Sequence, residues 1–297
     1  MAACGDAGEP GPEQQEPSNA DLLIESVTPE DGAMVAQNRT VTVTFYHPVL
    51  PDTLAVAVDG EVVRLATVDD REFRFVPLTL HEPDRAVEIR VHAGVEDATG
   101  QILDRDFAWS FATEPDALAQ PSALSDAEIA LITAGESSTP LDLVTDYDDP
   151  ASSLYDISPP IDPQSPHLTL LIDRMLTSVV HHGGIGLAAP QVGINRRVFV
   201  AEVDASFRAF VNPNLLAWSE TWREMVEGCL SVPDQDASVS RPDWIEFSYH
   251  TADGALVDLE QLADAGASAI PARLWLHEFD HLNGILLLDR AGTADPN

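Results

Sequence analysis

The sequence predicts two domains of different character, an all-β sandwich over residues 21–115 and, after a linker, a domain built partly of helices. Three observations predict this division. At 297 residues the chain is long enough for two separate cores. Its first third alternates apolar and polar residues at the period of a strand, with no helical stretch between. The later part turns to helical spacing and ends on His277-Glu278-Phe279-Asp280-His281.

Residues 1–20 are polar and rich in Pro, Glu and Gln, the composition of a disordered tether. From Asp21 the strands begin. Val41, Val43 and Phe45 alternate with Thr42, Thr44 and Tyr46. Leu54, Val56 and Val58 run into Asp59-Gly60, a hairpin turn signal, and Val62 resumes the return strand. Phe73 and Phe75, then Val87, Ile89 and Val91, then Phe107, Trp109 and Phe111 repeat the alternation. Short strands at this spacing predict a β-sandwich.

Residues 116–124 read as a linker. The stretch 116–166 has no Lys or Arg, eight Asp and two Glu, and is rich in proline after Pro140. With little apolar content there to dock the two domains, they are expected to fold independently. Ser125 to Ala134 predicts a short helix, with Ser125 as N-cap and Glu128 completing a capping box. Leu168, Leu171, Ile172, Met175, Leu176 and Val179 predict a core helix. His181 and His182 follow it at the surface.

Chemistry concentrates toward the C-terminus. Ile270 to Leu276 predicts a helix with Pro271 in its first turn, and Asn283-Gly284 is a stop signal. Residues i and i+4 share a helix face, so His277 and His281 can reach one metal ion. Glu278 beside them is placed to take a proton from water. The third ligand is not downstream. Position 287, where the HExxHxxGxxH pattern needs a histidine, is Leu287, and only Asp289 and Asp295 are acidic beyond His281. Upstream stand Glu227-Gly228-Cys229-Leu230-Ser231 and Gly184-Ile185-Gly186-Leu187-Ala188-Ala189-Pro190-Gln191. Cys229 is one of two cysteines, the other being Cys4, so no CxxC knuckle exists.

The three segments GIGLAAPQ, EGCLS and HEFDH, in that order, resemble the signature motifs of the peptide deformylases, over roughly residues 125–292. The resemblance implies a C-terminal α+β peptide-deformylase-like fold with a central HExxH helix. It implies a metal-dependent hydrolase that removes the formyl group from N-formylmethionyl peptides. The metal would be Fe2+, with Zn2+, Ni2+ or Co2+ also accepted. Cys229, His277 and His281 would be its ligands, with water at a fourth position and Glu278 as general base. Gln191 and the Leu230 backbone N–H would face the oxyanion, and Gly186 would contact the substrate backbone. The departures from the family pattern are Asp236, where relatives often carry a basic residue, Leu276, where a glutamine commonly precedes HExxH, and a long alanine-rich stretch between Asp253 and Arg273. They bear on substrate preference, not on a ligand or the base. The competing reading is a catalytically inactive deformylase-like binding module of the cell envelope.

The first domain resembles bacterial Ig-like domains, through Val27-Thr28-Pro29-Glu30-Asp31-Gly32 and the closing Phe107 to Thr113. It shows no cluster of ligands, so a spacer or docking role is expected. The formal net charge is −35 and all 15 basic residues are arginine, which excludes nucleic acid and anionic membrane surfaces as partners. The expected partner is the formyl-methionyl peptide and the expected state a monomer with no transmembrane segment. Met1-Ala2-Ala3-Cys4-Gly5 resembles the end of a bacterial lipobox without its hydrophobic stretch. Two locations are therefore expected, a cell-envelope lipoprotein anchored at Cys4 or the cytoplasm. Residues 293–297 read as a tail.

Overall fold

The computed structural model describes residues 19–116, 120–265 and 270–294. Cys4 and nearly all of the expected tether lie outside the described residues. Ala20, at its end, is buried in the first domain's core. No helix among the described residues is long and apolar enough to cross a membrane.

The first domain is two sheets packed face to face. One sheet runs Ile24–Thr28, Val41–Phe45, Glu72–Phe75, Ala66–Thr67 and the C-terminal Thr293–Ala294. The other runs Met34–Val35, Phe107–Thr113, Ala86–Val91, Val56–Val58 and Glu61–Val62. Alternation does what period two requires. Val41, Val43 and Phe45 point inward with Val87, Ile89, Val91, Trp109 and Phe111. Asp59 and Gly60 take left-handed φ values of 50° and 85°, closing the two-residue hairpin that pairs Val58 with Glu61.

In the second domain an antiparallel sheet runs Gly186–Ala188, Val198–Val203, Ser206–Trp218, Trp244–His250 and Leu256–Ala263. A separate hairpin joins Trp222–Cys229 to Val232–Pro242. The Pro271–Leu282 helix packs against the first two strands of that sheet and against the hairpin. Trp275, Phe279 and Leu282 bury its apolar face beside Phe199, Phe210 and Phe247. On the other side the Leu168–His181 helix buries Leu171, Ile172, Met175 and Val179. Its Arg174 is also buried and donates to the carbonyls of Leu131, Ile132, Thr139 and Pro140, which fastens the acidic arm. Ser125 and Glu128 form the expected capping box on Asp126–Thr133.

The expectation of independent domains does not match the packing. Leu78, from the first domain, is buried in the core of the second. The Arg64 guanidinium lies 5.4 Å from the ring centroid of Trp222. The expected tail is not free either, since Thr293 and Ala294 pair with Thr67 and Ala66. The linker gave no sign of this because the docking residues are not in it. They are singles, scattered along both domains.

Candidate active site

Three separate segments converge on one point. The Pro271–Leu282 helix starts on proline at its first position, and the Asp264 carboxylate accepts from the backbone N–H groups of Ala272 and Arg273. The next two turns present His277 and His281 on one face, with ring centroids 5.2 Å apart. Cys229 arrives from the end of its hairpin strand, its Sγ 3.3 Å from His281 Nε2. The donor atoms of Cys229, His277 and His281 all lie within 4.8 Å of one another, and no other such group occurs among the described residues. His181 is exposed and His182 bonds the Leu141 carbonyl, so neither joins them.

Electrostatics at the cluster suits a cation. Burial pushes the Cys229 thiol up, but His281 and His277 beside it outweigh this and bring it down to about 5. Burial disfavours charge on His277, yet Cys229, Glu227 and Glu278 around it hold its pKa well above the usual histidine range. The site thus favours thiolate together with positive charge, the condition under which a soft divalent cation replaces protons. Burial raises Glu278 to about 7 against the pull of both imidazoles. Its Oε2 is buried with no hydrogen-bond partner among the described residues. One thiolate and two imidazoles leave room for a fourth ligand, as catalytic rather than structural sites do.

The other expected residues surround this cluster. Gln191 is buried, its Oε1 accepting from the Ala188 N–H at 2.7 Å and its Nε2 3.5 Å from Cys229 Sγ. Leu230 directly follows Cys229 and is half-buried. Gly186 begins an edge strand, and a Cβ there would fall inside contact distance of the Glu278 carboxylate. Asp236 is exposed opposite Gly228 in the hairpin.

Several residues that hold the cluster escaped the sequence reading. His277 Nδ1 donates to Glu227 at 3.0 Å, which frees Nε2 for a cation. Arg241 makes a two-point pair with Glu227, at 2.8 and 2.9 Å, and donates to Asp280 at 2.7 Å. Arg273 donates to Glu227 at 2.5 Å. Burial works against the Glu227 and Asp280 carboxylates, but the guanidiniums keep both below the usual range. The available signal was a glutamate two residues before the cysteine and an aspartate inside the pentapeptide, in a chain where arginine is scarce.

Fold and site together define a metal-dependent hydrolase domain behind a β-sandwich. Comparison with known proteins gives the family. Residues 142–297 match the model of polypeptide deformylase and residues 18–113 that of a bacterial Ig-like domain. Peptide deformylase of Thermotoga neapolitana is 40% identical over 123 residues, 41% of this chain and 71% of that protein. The Treponema pallidum enzyme is 40% identical over 137 residues, 46% of this chain and 81% of that protein. The crystal structure of the Thermotoga maritima enzyme, at 34% identity, covers 52% of this chain and 99% of its own with a TM-score of 0.48. The chain belongs to the polypeptide deformylase family.

Proposed function

We propose that this chain hydrolyses N-formylmethionyl peptides at the Cys229, His277 and His281 cluster, with Glu278 as general base. The observation that carries the reading is the convergence of these three donors on a buried carboxylate that has an unpartnered oxygen. The donor set fits the ferrous ion of the family, and equally Zn2+, Ni2+ or Co2+. When bound, the cation supplies Lewis-acid activation, lowering the pKa of water to about 7.

The chain's own residues supply the rest. Glu278, shielded from bulk solvent, accepts the proton of the attacking water at its carboxylate and returns it to the departing amine. Gln191 is oriented by its bond from Ala188, so its amide N–H groups face the cysteine side of the site, where the oxyanion develops. The Leu230 backbone N–H adds a second donor from the residue after Cys229. Gly186, on an edge strand, presents backbone polar groups to an extended peptide. The absent Cβ at Gly186 leaves space for the Glu278 carboxylate.

The binding-module alternative has no observation in its favour, since a site without chemistry has no use for a buried base. Formate release from formyl-Met-Ala-Ser, by protein prepared anaerobically with Fe2+, tests the proposal. Release at kcat/KM above about 10⁴ M⁻¹s⁻¹, the lower end of ordinary enzymes, is the expected result. No release from iron-loaded, folded protein would refute it.

A further inference from the structure

Among the contacts of the Ig-like domain with the catalytic domain, two reach the C-terminal end of the helix that carries the histidines. The first is Arg290. Its Nε and Nη2 hold the two oxygens of Asp280, at 2.6 and 2.5 Å, and its Nη1 and Nη2 also reach the carbonyls of Val76 and Pro77 in the Ig-like domain, at 3.1 and 2.9 Å. The second is Asn38, whose side-chain amide donates to the Asn283 carbonyl at 2.9 Å. Asn283 caps that helix, and its side chain accepts from Arg197 at 2.9 Å. Gly284 follows with φ of 65°, and a Cβ there would collide with the Tyr155 carbonyl and come within 2.9 Å of Asn38.

From Asp280 the chain of contacts continues inward. Asp280 accepts from Arg241, Arg241 grips Glu227, and Glu227 accepts from His277. Every side chain in this series is buried. Each charged group has its partners fixed, so moving the outermost one leaves an uncompensated charge inside the protein. An arginine has five N–H donors in a rigid plane. Without the Ig-like domain, the outward-facing donors of Arg290 would lose both of their carbonyl acceptors.

We propose that Arg290 is a positioning residue and that the docked Ig-like domain, through Val76, Pro77 and Asn38, fixes the metal-binding helix. The domain is then a working part of the catalytic unit and not a spacer. This rests on the reading of Cys229, His277 and His281 as the metal ligands.

The test uses the full chain and Co2+. Three variants are compared with the unaltered protein: Arg290→Gln, the Ig-side double variant Asn38→Ala with Leu78→Ala, and Arg208→Gln. Arg208 is a paired arginine of the same domain, bound to Glu260 and Tyr249 and not part of the relay, and controls for general loss of stability. Co2+ affinity is measured by chelator competition, and the thiolate-to-cobalt absorption band reports the ligand geometry. Disturbing outer partners of metal ligands costs about 10–100-fold in affinity or activity. Arg290→Gln and the double variant should therefore weaken Co2+ binding about tenfold and shift the band, with KM for formyl-Met-Ala-Ser little changed. Arg208→Gln should bind as the unaltered protein does. If Arg290→Gln does not fold, the double variant decides the matter. Unchanged affinity and band in the folded double variant would overturn the proposal while leaving the functional reading intact. Failure of the unaltered chain to bind Co2+ would overturn the functional reading itself.

Discussion

Replacing Gly186 with alanine should disable the enzyme without unfolding it. Gly186 has no left-handed φ, so the backbone itself accepts alanine. The obstacle is space. An ideal Cβ would lie 2.8 Å from Glu278 Cδ and 2.9 Å from Leu274 Cδ1, with Glu278 Oε1 closer still. Carbon atoms in ordinary contact are about 3.5 Å apart, so the carboxylate must retreat by about 1 Å. That group is the far end of a flexible side chain, and it can move, whereas the helix behind it is locked by Trp275 and Phe279. Overpacking of this kind costs about 1–3 kcal/mol, a fall of several degrees in Tm for a chain of this size. A misplacement of about 1 Å costs on the order of a hundredfold in rate. The assay is kcat on formyl-Met-Ala-Ser with metal content and Tm from the same sample. The expected result is full metal, a modest Tm loss and kcat lower by about a hundredfold. Because the clash acts through Glu278, adding Gly186→Ala to Glu278→Gln should lower kcat little further. Normal turnover in Gly186→Ala, or full additivity in the double variant, would refute the reasoning.

Other outcomes follow from the same geometry. Cys229→Ala should lose metal and activity together, and stoichiometric metal in unchanged coordination, seen by absorption spectroscopy, would contradict it. Asp236 is exposed across from Gly228, so formyl-Met-Ala-Lys should exceed formyl-Met-Ala-Glu several-fold in kcat/KM at low salt, one screened charge pair being worth about 1 kcal/mol. Asp236→Arg should reverse that preference, and equal rates unaffected by the substitution would show that Asp236 faces away from the peptide. Burial pushes Glu128 up, but Arg196 and Ser125 hold it below the usual range. A depressed carboxylate stabilises above its unfolded pKa of about 4.3 and loses that contribution as pH falls through the lower folded value. Glu128→Gln should accordingly lower Tm at pH 7 by an amount that shrinks below pH about 4, and a pH-independent difference would contradict the pairing. A fragment beginning at Ser125 lacks the Val76 and Pro77 carbonyls that Arg290 reaches and the contact of Leu78. It should melt below the full chain and bind metal more weakly, and equal stability would show that the domains are independent.

What the sequence showed and what it hid have different physical origins. The strands of the first domain were legible because period two exposes one face to a core, as Val41, Val43 and Phe45 do. The convergence of Cys229, His277 and His281 was legible because i,i+4 spacing is local and the third member sat in a distinctive pentapeptide. The relay through Glu227, Arg241, Asp280 and Arg290 joins residues up to 63 positions apart, each an ordinary charged side chain in one dimension. Their partnership exists only after folding. Domain docking was hidden for the same reason. Leu78 is one apolar residue past a strand, and nothing in its neighbours marks it for the core of a different domain. The pairing of Thr293–Ala294 with Ala66–Thr67 spans more than 200 residues and has no local pattern at all.

The central claim is that Glu278 moves the proton while Cys229, His277 and His281 hold the cation. Glu278→Gln tests it most directly, because the amide keeps the shape and loses the base. Metal content and kcat on formyl-Met-Ala-Ser should be measured on one anaerobic sample. The account predicts metal at the level of the unaltered protein and kcat reduced by at least about a hundredfold. Near-normal turnover with bound metal would contradict it.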